Sequence, residues 1–134
     1  MENNELTKKE KKRFSIIARV RSANHAWRGI KIIFASGHNT WGFVFFSLLA
    51  IYLGFLLHIS ITEWCVLVLI IGIVFITEAI NTAIEIDINL TSPVFHPYAR
   101  DTKDVAAGAS LLSVFFAIII GIIIFVPKIY GLYF

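Results

Sequence analysis

The chain has 134 residues, of which 57% are hydrophobic and only 16% charged. Ordinary soluble domains carry about 25% charge and 45–50% apolar residues, so a soluble fold of this length would leave apolar surface in water. The net charge of +3 is small and the basic excess is local, which points to anionic lipid or a nucleotide phosphate and away from nucleic acid. One cysteine, Cys65, excludes an internal disulfide and reads as a small apolar residue.

Residues 1–13 are polar and basic and read as a tail. Residues 14–35 follow a helical rhythm: Ile16, Val20, Ala23, Trp27, Ile30 and Phe34 form an apolar stripe, flanked by Arg13, Arg21, Asn24, Arg28 and Lys31. An apolar face, a basic flank and a tryptophan predict an amphipathic helix lying on a membrane surface. The plainer alternative is a helix packed against a partner. A break at 36–40, with Gly37 and Asn39, separates it from the first long apolar run.

Three runs, at about 41–57, 64–88 and 102–126, are each near the roughly 20 residues that cross a bilayer. The expected fold is therefore an all-α membrane protein, an N-terminal surface helix followed by three transmembrane helices. The first apolar run begins too late for a signal peptide. Eleven of the twelve Lys and Arg residues fall before the first run or between the second and third, and only Lys128 lies elsewhere. The positive-inside rule then places the N-terminus in the cytoplasm. Residues 89–100, with Pro93 and Pro97, read as a loop, with Asp101 or Thr102 capping the last helix. Ala106 to Ser110 are small and allow helices to approach closely.

The chemistry concentrates in the stretch Glu78-Ala-Ile-Asn81-Thr-Ala-Ile-Glu85. Ionisable residues in an apolar helix are costly and mark function. Positions 78, 81 and 85 share one helix face, with the carboxylates about 10 Å apart along the axis. One carboxylate can bind a metal while the other abstracts a proton. Lys103-Asp104 returns to the same membrane surface, so Lys103 is expected to approach Glu85 and to serve a nucleotide phosphate held with Mg²⁺. The bland alternative is a set of interfacial salt bridges among Glu85, Lys103 and Asp104. No Gly-rich phosphate loop, paired-His helix or Ser-His-Asp order competes. His25, His38, His58 and His96 are scattered and read as surface residues. One subunit has too little interior to bury Glu78, Asn81 and Glu85, so a neighbouring copy is expected to cover that face.

These residues, together with Ala99-Arg-Asp-Thr-Lys103-Asp104-Val-Ala-Ala-Gly108-Ala, resemble the motif of the prokaryotic diacylglycerol kinase and undecaprenol kinase family. The resemblance covers about residues 14–127. It implies a homotrimeric bundle in the bacterial inner membrane, moving the γ-phosphoryl of ATP to the hydroxyl of diacylglycerol or undecaprenol at the cytoplasmic interface. On the resemblance, Glu78 is the catalytic base and Glu85 a Mg²⁺ ligand. Lys103, Asp104, Asn81 and His25 make the candidate nucleotide set, and Arg21, Trp27 and Arg28 the interfacial one. Gly37 stands where the family carries a second metal-binding glutamate, Trp41 where an arginine is common, and Asn89 where an aspartate is usual. Weaker Mg²⁺ binding is the expected consequence of Gly37. It motivates a second reading, a degenerate family member acting as a membrane scaffold or subunit. A third is an oligomeric ion or proton pathway lined by Glu78 and Glu85.

Overall fold

The computed structural model describes residues 16–36 and 39–133; the basic tail, Gly37 and His38 lie outside the described residues. Among the described residues every regular element is an α-helix: α1 Ile16–Ser36, α2 Thr40–Leu56, α3 Ile61–Thr91 and α4 Pro97–Tyr133. Helix α1 forms a unit of its own. Its Val20, Trp27 and Ile30 are exposed, as are Arg21, Arg28 and Lys31.

Helices α3 and α4 are each long and apolar enough to cross a membrane. At about 1.5 Å per residue, the 17 residues of α2 stand at the lower limit for a hydrocarbon core of about 30 Å. The dominant packing is the antiparallel pair α3–α4, with α2 laid against one end of it. Most large apolar side chains point outward, as a lipid-solvated bundle requires. The buried apolar cluster of Ile59, Leu67, Ile70, Ile124 and Phe125 sits at the end of the pair away from the α3–α4 loop.

That far end is closed by local chemistry. Leu57 ends α2 and His58 follows with φ 48°, in the left-handed region. The His58 amide donates to Phe55 O at 3.3 Å and the Ile59 amide to Gly54 O at 3.2 Å, the two bonds of a Schellman turn. Ser60 then caps α3 in a reciprocal box: its Oγ accepts from the Glu63 amide at 3.3 Å, and its own amide donates to Glu63 Oε2 at 2.6 Å. The same Oε2 lies 3.1 Å from Lys128 Nζ on α4, so one carboxylate ties together the turn and the last helix. Trp64 packs on Phe55, ring centroids 4.7 Å apart, and fills the space over Gly54.

The loop between α3 and α4 is shorter than the prolines lead one to expect. Helix α3 continues to Thr91, and α4 begins at Pro97 rather than near Asp101. Proline suits a first helical position because its missing N–H has no helical acceptor there and its φ is already helical.

Two substitutions test this end. A Cβ on Gly54 would stand 2.8 Å from Trp64 Cη2 and 3.1 Å from Ile59 Cδ1, so Gly54→Ala is expected to destabilise by about 1–3 kcal/mol. His58→Gly relieves a left-handed L-residue and should stabilise by about 0.5–1 kcal/mol. Thermal unfolding in detergent should move the two midpoints in opposite directions.

Candidate active site

Helix α3 buries one stripe along its length: Leu67, Ile70, Val74, Glu78, Asn81 and Thr82. The stripe keeps its helical spacing while its chemistry changes from apolar to polar at Glu78. Opposite it, α4 presents Ile124 and Phe125 to the apolar half, and Ser113, Ser110 and Ala106 to the polar half. The small residues at 106, 110 and 113 therefore serve the contact between α3 and α4 within one chain.

Three bonds join the polar halves in antiparallel order. Ser110 Oγ donates to Glu78 Oε2 at 2.8 Å, and both residues are buried. Thr77 Oγ1 and Ser113 Oγ lie 2.8 Å apart one step deeper. Nearer the loop, Lys103 Nζ donates to Asn89 Oδ1 at 3.2 Å. Glu78 is only 3% exposed and Asn81 8%. The expectation that a neighbouring copy must bury these two is thus corrected: α4 covers both, because small side chains at 106 and 110 leave room for the carboxylate and the amide.

Asn81 Oδ1 is buried and has no hydrogen-bond partner. Leaving such an acceptor unmatched costs about 1–3 kcal/mol, so the atom is set for a donor or a cation. Four residues on, Glu85 is exposed and forms no ion pair among the described residues. Both atoms are hard oxygen donors one turn apart on one helix. No group of three or more His, Cys, Asp or Glu gathers as a metal cage among the described residues. This sparse oxygen set fits Mg²⁺, which keeps its waters and is held by one or two carboxylates together with substrate phosphates.

A cavity of about 390 Å³ opens at the loop end, lined by Asn89, Ser92, His96, Arg100, Lys103 and Asp104 among others. Lys103 rests on Asn89 and not on Glu85, which differs from the sequence expectation. Arg100 lies 3.8 Å from both Asp101 and Asp104, in exposed pairs of little energetic weight. His96 and Arg100 went unnoticed as cavity residues. The signal was available for Arg100, three residues before Lys103 and hence on its face of α4. An apolar groove of about 480 Å³ runs along the flank, between Ile80, Ile84, Val105 and Ala109. On α1, Arg21, His25 and Arg28 share one helix face by spacing, Trp27 faces another way, and all four are exposed.

Comparison with known proteins agrees with the motif. The family described as Prokaryotic diacylglycerol kinase matches residues 24–125. An undecaprenol kinase of Bacillus subtilis (strain 168) is 45% identical over 75 residues, 56% of this chain and 61% of the relative. A diacylglycerol kinase of Synechocystis sp. is 35% identical over 112 residues, 83% of this chain and 64% of the relative. A diacylglycerol kinase of Helicobacter pylori (strain J99) is 33% identical over 88 residues, 66% of this chain and 69% of the relative. The matched region thus spans a little under two thirds of the first two relatives.

The two glutamates should part company in stability. Glu85→Gln alters an exposed, unpaired side chain and is expected to change stability by less than about 0.5 kcal/mol. Glu78→Ala leaves the buried Ser110 hydroxyl without its acceptor and should cost about 1–3 kcal/mol. Equal shifts of the unfolding midpoint in both variants would contradict this geometry.

Proposed function

The chain belongs to the prokaryotic diacylglycerol kinase family of lipid kinases, and from that membership we propose that it transfers the γ-phosphoryl of ATP to the hydroxyl of a membrane lipid. The observation that carries the reading is Glu78, a carboxylate buried in an apolar helix pair, in the same half of the pair as the cavity lined by Lys103 and Arg100. A base in that position is shielded from bulk water yet close to a membrane surface where lipid hydroxyls and nucleotides meet.

In this reading Glu78 takes the proton of the acceptor hydroxyl. Its Oε2 is engaged by Ser110, and Oε1 has no hydrogen-bond partner among the described residues and is the oxygen that accepts. The hydroxyl oxygen forms a bond to the γ-phosphorus as the bond from phosphorus to the bridging oxygen breaks. That electron pair leaves on ADP, and the proton later passes from Glu78 to water. Lys103 exchanges its bond to Asn89 for one to a phosphate oxygen, and Arg100 supplies a second positive charge at the mouth. His25, Arg21 and Arg28 give α1 a basic face suited to anionic headgroups at a membrane surface. Glu85 and Asn81 Oδ1 would hold Mg²⁺, which would supply charge neutralisation on the phosphates. The flank groove offers apolar contact to a lipid chain arriving sideways through the bilayer.

The remaining parts of the proposal follow the resemblance and the charge pattern. Helix α2 makes a third crossing, the N-terminus is cytoplasmic, the membrane is the bacterial inner membrane, and three copies assemble. Cross-linking in mild detergent that saturates at dimer would contradict the trimer.

Purified protein with labelled ATP, offered diacylglycerol and undecaprenol in parallel, tests the activity. Glu78→Gln should reduce transfer by about 10²–10⁴-fold while MgATP binding persists; a variant keeping half the activity removes Glu78 from this role. Gly37→Glu should lower the Mg²⁺ concentration for half-maximal activity, because a second carboxylate adds a hard oxygen ligand. Coincident Mg²⁺ titration curves would show that position 37 is not at the metal.

A further inference from the structure

We infer that Ser110 is a positioning residue for Glu78: its hydroxyl fixes the carboxylate so that one oxygen is held and the other faces the acceptor. The inference rests on the reading of Glu78 as the base.

Hydroxyl side chains in apolar helices ordinarily satisfy themselves on their own helix, by donating to a carbonyl three or four residues back. Here Thr91 donates to Asp87 O and Thr102 to Tyr98 O, while of Thr77 and Ser113, which face each other at 2.8 Å, one donates to the other and the other to a carbonyl of its own helix. Ser110 departs from that habit. Among the described residues it is the hydroxyl that donates across the helix pair to a carboxylate, at 2.8 Å. It does so from a buried position, 6% exposed, where no water competes. A hydroxyl has one proton, so donating it to Glu78 leaves none for the backbone.

The bond has a geometric consequence. A glutamate side chain has three rotatable bonds beyond its Cα, and an apolar slot alone would leave the carboxylate free to turn. A donor fixed to the neighbouring helix removes that freedom at Oε2. The Thr77 and Ser113 hydroxyls meet 2.8 Å apart just below it, in a contact that does not involve the carboxylate. Ser113 is the natural comparison. It lies on the same face of α4, is 5% exposed and loses a hydroxyl equally when changed to alanine, yet it makes no bond to Glu78.

The test compares steady-state kinetics of four detergent-purified variants with the natural chain. Ser110→Ala should lower kcat about 10–100-fold, the scale on which a misplaced reacting group costs rate, with KM for ATP and lipid changed less than about twofold. Ser110→Thr keeps the donor and should recover most of kcat. Ser113→Ala should lower the unfolding midpoint about as much as Ser110→Ala while keeping kcat within about twofold. Glu78→Gln, run alongside, separates the two ideas. If it stays active, the reading of Glu78 as the base fails. If it is inactive but Ser110→Ala matches the natural kcat, the positioning role alone fails. Loss of kcat in Ser113→Ala equal to that in Ser110→Ala, or no recovery in Ser110→Thr, also overturns it. Should Ser110→Ala fail to fold, Ser110→Cys replaces it, with kcat expected between alanine and serine; a natural kcat there would count against the proposal.

Discussion

A carboxylate inside a pair of apolar helices needs a partner, and that requirement organises this molecule. Burying an unpartnered charge is far more costly than any single contact in a domain of this size returns. Glu78 therefore demands a donor on the helix facing it, and the facing helix must come close enough to deliver one. Ala106, Ser110 and Ser113 supply both conditions, small size and a hydroxyl. The same closeness seals Asn81, whose Oδ1 is left without a partner. A polar pocket in a membrane hairpin is thus the combined outcome of one acidic residue and a stripe of small ones.

The two ends of the hairpin are built for different purposes. Away from the loop, a Schellman turn, a capping box, the Glu63–Lys128 pair and the Trp64–Phe55 contact lock α2, α3 and α4 together. At the loop end the polar side chains are held by exposed, single contacts: Lys103 on Asn89, and Arg100 between two aspartates. Exchanging an exposed hydrogen bond or ion pair for a bond to phosphate costs about 1 kcal/mol or less. Phosphate binding at the mouth would therefore leave the helix pair that holds Glu78 undisturbed.

Much of this was legible in the residues. The long apolar runs announced the helices, and the shared face of Glu78, Asn81 and Glu85 followed from their spacing. The identity of what covers that face was not legible. Small residues at 106–110 read equally well as a seam for another subunit, and only the antiparallel register of α3 and α4 shows that Ser110 meets Glu78. Lys103 was expected at Glu85 on charge alone; the register carries it past, to Asn89. The capping box of Ser60 and Glu63 was written in plain spacing, in the short stretch between the first two apolar runs. The start of α4 at Pro97 was missed because prolines in a loop and a proline at the first helical position look alike without the following turn.

The distribution of polar groups also bears on what the buried carboxylate is for. A conduit for ions or protons needs polar or wet lining through the full depth of the bundle. Here the buried polar residues of the hairpin, Glu78, Asn81, Thr82, Ser110 and Ser113, all lie in the half towards the loop. Beyond Ser113 the interior is Leu67, Ile70, Ile124, Phe125 and Ile59, a dry cluster among the described residues. A proton reaching Glu78 would find no onward acceptor in that direction and would have to return the way it came. A base that takes a proton from a substrate and gives it back to the same aqueous side needs only this one-sided access. An apolar floor would assist such a base, because water kept away from the carboxylate would leave a substrate hydroxyl as the donor to Oε1.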